Sequence, residues 1–176
     1  MSQATNAFVE QHQDRLLEEL KSFLRIPSVS TLPEHVPDVQ RAARFVADSL
    51  SAAGLEHDWL HAPGKPTVLC YGHYDVQPPD PLEEWKSPPF EPTLRDGNLY
   101  ARGSADDKGQ MYMHVKAVEA LRAVNGKLPV NVKFLIEGEE EVGGESIAKY
   151  VAENAAKLKA DVALVSDTRP AACRPG

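Results

Sequence analysis

The stretch TVLCYGHYD (Thr67–Asp75) decides how this chain folds. Its first part, Thr67 to Tyr71, is short, apolar and β-branched, which predicts a strand buried in a sheet. Working outward, Val130 to Ile136 and Val162 to Val165 read as further apolar strands. Helical patterns separate them. From Asn6 to Arg25, the residues Phe8, Leu16, Leu17, Leu20, Phe23 and Leu24 fall near one face, and Pro27 stops the helix. From Asp38 to Ala53, Asp38 reads as the N-cap, Val39, Ala42, Ala43, Val46 and Leu50 face inward, and Gly54 stands at the C-terminal cap. From Asp107 to Val124, the inward positions are Met111, Val115, Val118, Leu121 and Val124, closed by Gly126. Glu145 to Lys159 reads as one more helix, with Ile147, Val151 and Leu158 apolar. Strands alternating with helices predict an α/β class, a mostly parallel sheet flanked by helices.

Six prolines between Pro78 and Pro92 exclude a helix or a central strand there. Trp85 and Phe90 would be costly to leave in water, so this loop is expected to be ordered. Leu94 to Ala101 reads as a hairpin turning at Asp96-Gly97 or Gly97-Asn98.

With 176 residues, 42% hydrophobic and 26% charged, the chain has the composition of a globular protein of one domain. No run approaches the ~20 apolar residues of a membrane span. The N-terminus lacks a basic head followed by an apolar stretch, so no secretory signal is read there. A net charge of −7 argues against nucleic-acid or anionic-membrane partners. Two cysteines, Cys70 and Cys173, cannot build a disulfide framework, and a reducing cytoplasm is the expected location.

The chemistry-bearing residues gather at strand ends and helix starts. His73 and Asp75 follow the first strand, Asp106-Asp107 precede the third helix, and Glu137, Glu139, Glu140 and Glu141 follow the VNVKFLI strand. Ser166-Asp167-Thr168 follow the last strand. In open α/β sheets ligands bind at the carboxyl ends of the strands, where these clusters would meet. Asp75 could fix the tautomer of a ligating His73, or merely cap a turn. One aspartate would suffice as a helix cap; two between Gly103 and Gly109 suit a carboxylate bridging two cations. A glutamate run is usually a solvated face, but this one abuts an apolar strand, where a divalent ion would relieve its repulsion. One glutamate could bind metal while its neighbour takes a proton from water. A His-plus-carboxylate set suits Zn2+, and also Mn2+ or Co2+. Ser104 and Ser166 have no histidine near them in sequence, so a serine nucleophile has little support.

The motifs GHYDVQP (Gly72–Pro78), EWKSPPF (Glu84–Phe90), DGNLYARGSADDKG (Asp96–Gly109), EGEEEVGG (Glu137–Gly144) and LVSDT (Leu164–Thr168) resemble those of the co-catalytic zinc exopeptidases. That family includes carnosinase-type dipeptidases, acetylornithine deacetylase, succinyl-diaminopimelate desuccinylase and aminoacylase, and the dipeptidase branch is the most similar. The resemblance implies two zinc ions activating a bridging water. It assigns His73 and Asp167 to one metal, Asp106 as the bridging carboxylate and Glu141 to the other metal. Asp107 would follow Asp106 across a cis peptide. It makes Glu140 the general base, with Glu139 as the fallback register, and has Asp75 orient His73. The implied substrate is a small peptide or an acylated amino acid.

Members of that family are considerably longer and carry a lid and dimerisation domain, often forming homodimers. The resemblance therefore implies that residues 1–168 are the N-terminal part of a catalytic domain and that 169–176 form an irregular tail. The last histidine ligand of the family has no match among His12, His35, His57, His61 and His114. The expected function is metal-dependent hydrolysis of dipeptide or related amide bonds. A deacylase of the same family and a non-catalytic remnant are the alternatives.

Overall fold

The computed structural model describes residues 2–55 and 63–167. His57, His61, Thr168, Cys173 and the expected tail at 169–176 lie outside the described residues.

Three parallel strands form the central sheet, in the order β4 (Asn131–Glu137), β1 (Thr67–His73), β5 (Val162–Val165). The expected α/β class with a parallel sheet is what the structure shows. β1 runs two residues beyond the apolar stretch, so His73 is its last residue and stands opposite Glu137. Because the strands are parallel, the carboxyl ends of all three open on one side of the molecule.

Helices α1 (Gln3–Leu24), α2 (Val36–Ala52) and α3 (Lys108–Asn125) supply the main core. Phe23, Ala42, Val46, Met111, Tyr112 and Val115 pack there with Phe134 and Ile136 of β4. Phe134 and Ile136 stand opposite Cys70 and Gly72 in the register, so one sheet face carries this layer. Gly72 lets α3 approach: a side chain there would come within 2.6 Å of Met111 Cγ and 2.7 Å of Asp107 Oδ2. On the other face, Lys133 Nζ donates to the carbonyl oxygen of Lys157 at 2.7 Å.

Asp38 is not the N-cap of α2. The helix starts at Val36, with Pro37 in its first turn, where a missing N–H costs nothing. Asp38 instead accepts from His35 Nδ1 at 2.8 Å and pairs with Arg41 at 2.9 Å. The helix expected over Glu145–Lys159 is broken at Asn154 into α4 (Glu145–Glu153) and α5 (Ala155–Leu158). Val151 stays 40% exposed, so the apolar stripe of α4 is only partly covered. β5 likewise leaves Val162 and Val165 exposed.

The hairpin is present as β2 (Thr93–Arg95) and β3 (Asn98–Tyr100), turning at Asp96-Gly97, both with positive φ (50° and 77°). That is the two-residue turn whose twist matches the strands. In the proline-rich loop, Trp85 Nε1 donates to the Pro79 carbonyl oxygen at 2.7 Å, which satisfies the indole in a half-buried position.

Candidate metal centre

His73 is fully buried where β1 ends. Its ring Nδ1 lies 3.1 Å from the Asp75 carbonyl oxygen and 3.3 Å from Asp75 Oδ1. Both neighbours are acceptors, so Nδ1 carries the proton and donates. Nε2 faces Asp106 Oδ1 at 3.1 Å and Asp167 Oδ2 at 3.9 Å. A lone pair facing two carboxylates is stable only with a cation between them, either a proton or a metal ion. Two donors each ~2.0–2.2 Å from one zinc ion stand ~3.3 Å apart, so these spacings fit a divalent ion.

Each element brings its residue for a local reason. Asp106 and Asp107 sit on the turn into α3, joined by a cis peptide bond. A methyl group at Gly109 would overlap the Ser104 carbonyl oxygen, so only glycine lets the turn fold back on the helix start. Asp107 is fully buried, and its Oδ2 accepts the backbone N–H of His73 at 3.2 Å. Asp167 follows β5 directly. Glu140 and Glu141 lie in a single helical turn, Glu140–Val142, that ends at Gly143 with φ 106°.

Two groups of donor atoms lie mutually within 4.8 Å: His73 with Asp106 and Asp167, and His73 with Glu140 and Glu141. The two share His73 and divide the carboxylates between them. Among the described residues, neither group joins Asp106 directly to Glu141. Glu139 points elsewhere, accepting from the Ser146 N–H at 3.3 Å at the start of α4. His114 Nε2 lies 2.7 Å from Ser166 Oγ, outside both groups. His12 is bonded to the Phe8 carbonyl on α1 and His35 to Asp38, both away from the centre.

The electrostatics are those of crowded anions. Burial pushes the Asp107 carboxyl up to about 6, with the charges of Asp167 and Asp106 adding to it against the His73 N–H. Burial and neighbouring carboxylates also raise Glu140 and Glu141. Burial alone would lower His73, but Asp75, Asp107 and Asp167 outweigh it and raise the imidazole to about 9. Asp75 is held low. Burial opposes its charge, yet His73, the Ser30 hydroxyl and the Glu141 N–H overcome that. The centre thus attracts positive charge with ligands of nitrogen and oxygen type.

Sequence reasoning missed Ser30 and Gln77. Ser30 Oγ donates to Asp75 Oδ2 at 2.6 Å, and Gln77 Nε2 donates to Glu141 Oε2 at 2.8 Å. Gln77 lies in the quoted GHYDVQP stretch, a signal that could have found it. Nothing local marks Ser30, which is 45 residues from its partner.

Residues 69–175 match the profile described as Peptidase family M20/M25/M40. The cysteinylglycine-S-conjugate dipeptidase of Corynebacterium striatum is 32% identical over 179 residues, covering 93% of this chain and 39% of that protein. The succinyl-diaminopimelate desuccinylase of Azoarcus sp. is 39% identical over 98 residues, covering 55% of this chain and 26% of that protein. The crystal structure of human carnosine dipeptidase 1 superposes with a TM-score of 0.86 at 32% identity, covering 93% of this chain and 40% of that one. The chain thus spans about two fifths of the length of the dipeptidases it matches. The profile covers more than half of the chain and takes in His73, Asp106, Glu140, Glu141 and Asp167, the residues that the fold gathers at the sheet's carboxyl end, and on that match this chain belongs to peptidase family M20/M25/M40.

Proposed function

We propose that these residues form the metal-binding part of a hydrolase that cleaves dipeptides, with Zn2+ as its ion and Mn2+ or Co2+ as alternatives. The observation that carries this is the convergence of the buried His73 Nε2 with the carboxylates of Asp106 and Asp167, at 3.1 and 3.9 Å, at the carboxyl end of the sheet. His73, Asp106 and Asp167 would hold one ion, and Glu141 a second with Asp106 between them. An ion held there supplies Lewis-acid polarisation of the scissile carbonyl and of water. Asp75 keeps the His73 ring in its ligating tautomer. Glu140, with burial and anionic neighbours raising its pKa, is suited to take a proton from water and pass it to the leaving amine.

The dipeptidase reading is favoured over the deacylase reading by extent. The dipeptidase relative matches along 93% of this chain, the desuccinylase along 55%. We assign residues 1–168 to the N-terminal part of a catalytic domain. We place the protein in a reducing, cytoplasmic setting on the buried free thiol of Cys70. No helix among the described residues is long and apolar enough to cross a membrane.

Metal analysis after dialysis against zinc tests the reading, with hydrolysis of a cysteinyl-glycine dipeptide and of an N-succinyl amino acid measured in parallel. Retained zinc that is lost on His73→Ala supports it. Whatever dipeptide turnover the chain shows should vanish in Glu140→Gln while zinc stays bound. No retained zinc in the wild-type protein would overturn it, and turnover confined to the N-succinyl substrate would favour the deacylase.

A further inference from the structure

The segment Ile26–Ser30 runs from the end of α1 toward α2 and holds no candidate ligand, yet it touches both loops that do. Val29 bridges to Val76, and the Val76 N–H donates to the Ser28 carbonyl oxygen at 3.0 Å. Ser28 Oγ donates to the Tyr74 carbonyl oxygen at 2.6 Å. Lys108, beside the Asp pair, reaches the Ile26 carbonyl oxygen at 2.7 Å. These four ties are to backbone or between backbones, and they are enough to seat the segment.

Ser30 makes a different bond. Its hydroxyl donates to Oδ2 of the fully buried Asp75, the oxygen that also accepts the Glu141 N–H at 3.1 Å. One carboxylate oxygen therefore joins residues 30, 75 and 141, while Oδ1 of the same carboxylate faces His73 Nδ1 at 3.3 Å. A carboxylate turns about its last bond with little resistance unless both oxygens are held. Losing the Ser30 hydroxyl would leave Oδ2 held by the Glu141 N–H alone, loosening that rotation without unseating the segment.

We propose that Ser30 is a positioning residue of the metal centre, acting through Asp75 on the ring of His73 and on the backbone of Glu141. The inference rests on the metal reading above. Residues that orient a metal-ligating histidine typically contribute ~10–100-fold in affinity.

Ser30→Val and Ser30→Thr test it, because the two have the same shape and only threonine keeps a hydroxyl. Zinc affinity is read by competition with a chelating dye, and unfolding is followed on the metal-free protein. The valine variant should bind zinc ~10–100-fold more weakly with a nearly unchanged metal-free melting temperature, and the threonine variant should bind close to wild type. Ser30→Ala carries the same expectation as valine and serves if the branched residue prevents folding. Ser49→Ala is the structural control: its hydroxyl donates to the Phe45 carbonyl oxygen on α2, so it should lower the melting temperature and leave zinc affinity alone. Wild-type affinity in the valine and alanine variants would overturn the role of Ser30 while leaving the metal reading in place. Equal losses in valine and threonine would overturn it as well. A wild-type chain that binds no zinc would overturn the metal reading, and this inference with it.

Discussion

Lys108 Nζ donates to the carbonyl oxygens of Ile26 at 2.7 Å and Phe23 at 3.3 Å, so the first residue of α3 caps the end of α1. The side chain is fully buried and lies 4.9 Å from the face of the Phe23 ring. Burial pushes its pKa down to about 7, and the charge of Asp75 only partly opposes this. The cluster of carboxylates thus stands on a frame in which two helices are locked end to start.

Replacing that ammonium should loosen the frame. Lys108→Met keeps the length and removes both charge-assisted hydrogen bonds, leaving the Ile26 and Phe23 carbonyls with backbone N–H partners, those of Ser28 and Ile26. The expected cost is ~1–3 kcal/mol, read as a lower urea midpoint. A midpoint equal to wild type would show that the stem, and not the ammonium, is what the site needs.

A second tie between α1 and α3 lies at the surface and responds to acid. Arg15 reaches Glu19 at 2.8 Å and Glu119 at 2.6 Å, and Lys116 reaches the same two carboxylates. Burial resists ionisation of Glu19 and Glu119, but hydrogen bonds from Lys116 and Arg15 outweigh it and hold both below the ordinary 4.5. Depressed carboxylates bind fewer protons folded than unfolded, so their stabilisation is complete above pH 4.5 and is lost as pH falls through their folded pKa values. The pairs are partly exposed, so each is worth ~0.2–1 kcal/mol. The double variant Glu19→Gln/Glu119→Gln should lose less stability than wild type over that acid window, measured by urea unfolding. Parallel curves for the two proteins would remove the network from the acid response.

Metal content should follow ligand count. On the proposed assignment, His73, Asp106 and Asp167 would give one ion three protein ligands, enough for an open catalytic-type site, whereas Asp106 and Glu141 would give a second ion two. One tightly held zinc per chain is expected. His73→Ala should abolish it, and Glu141→Gln should leave it nearly unchanged, both by metal analysis after dialysis. Little or no dipeptide turnover is expected alongside. Two zinc ions retained with robust turnover would mean that another donor, from His114 or from a second copy of the chain, completes the second site.

How much of this was legible depends on the distance over which each residue acts. β1 and β4 could be read because a strand in a covered parallel sheet is rich in apolar and β-branched residues, as in Val68-Leu69-Cys70 and Phe134-Leu135-Ile136. The turn at Asp96-Gly97 could be read because positive φ at two positions restricts the residue types. Asp38 misled because the helix already starts at Val36, with Pro37 in its first turn, which puts Asp38 inside the helix. The break at Asn154 was invisible to periodicity, since α4 and α5 share an apolar pattern that the fold leaves partly uncovered. Within the site, ligand types stood out in short motifs. Ser30 and Lys108 act on partners 45 and 82 residues away, and no local pattern encodes such contacts.

Gly72 offers the sharpest link between packing and the metal centre. It lies one residue before His73, where β1 passes close to the start of α3. A methyl group there would sit 2.6 Å from Met111 Cγ and 2.7 Å from Asp107 Oδ2, the atom that accepts the His73 N–H. Neither neighbour can yield freely: Met111 is part of the main core, and Asp107 is fully buried beside Asp106. Gly72→Ala should therefore push the start of α3 outward. Overpacking of this kind costs ~1–3 kcal/mol, and here the displaced segment also carries Asp106. Stability and zinc affinity should fall together. In Gly97→Ala, by contrast, the added methyl meets nothing within 4 Å, so only the hairpin turn is strained and zinc affinity should hold. A Gly72→Ala protein that unfolds earlier but binds zinc as tightly as wild type would show that the ligand loop moves independently of the helix it opens.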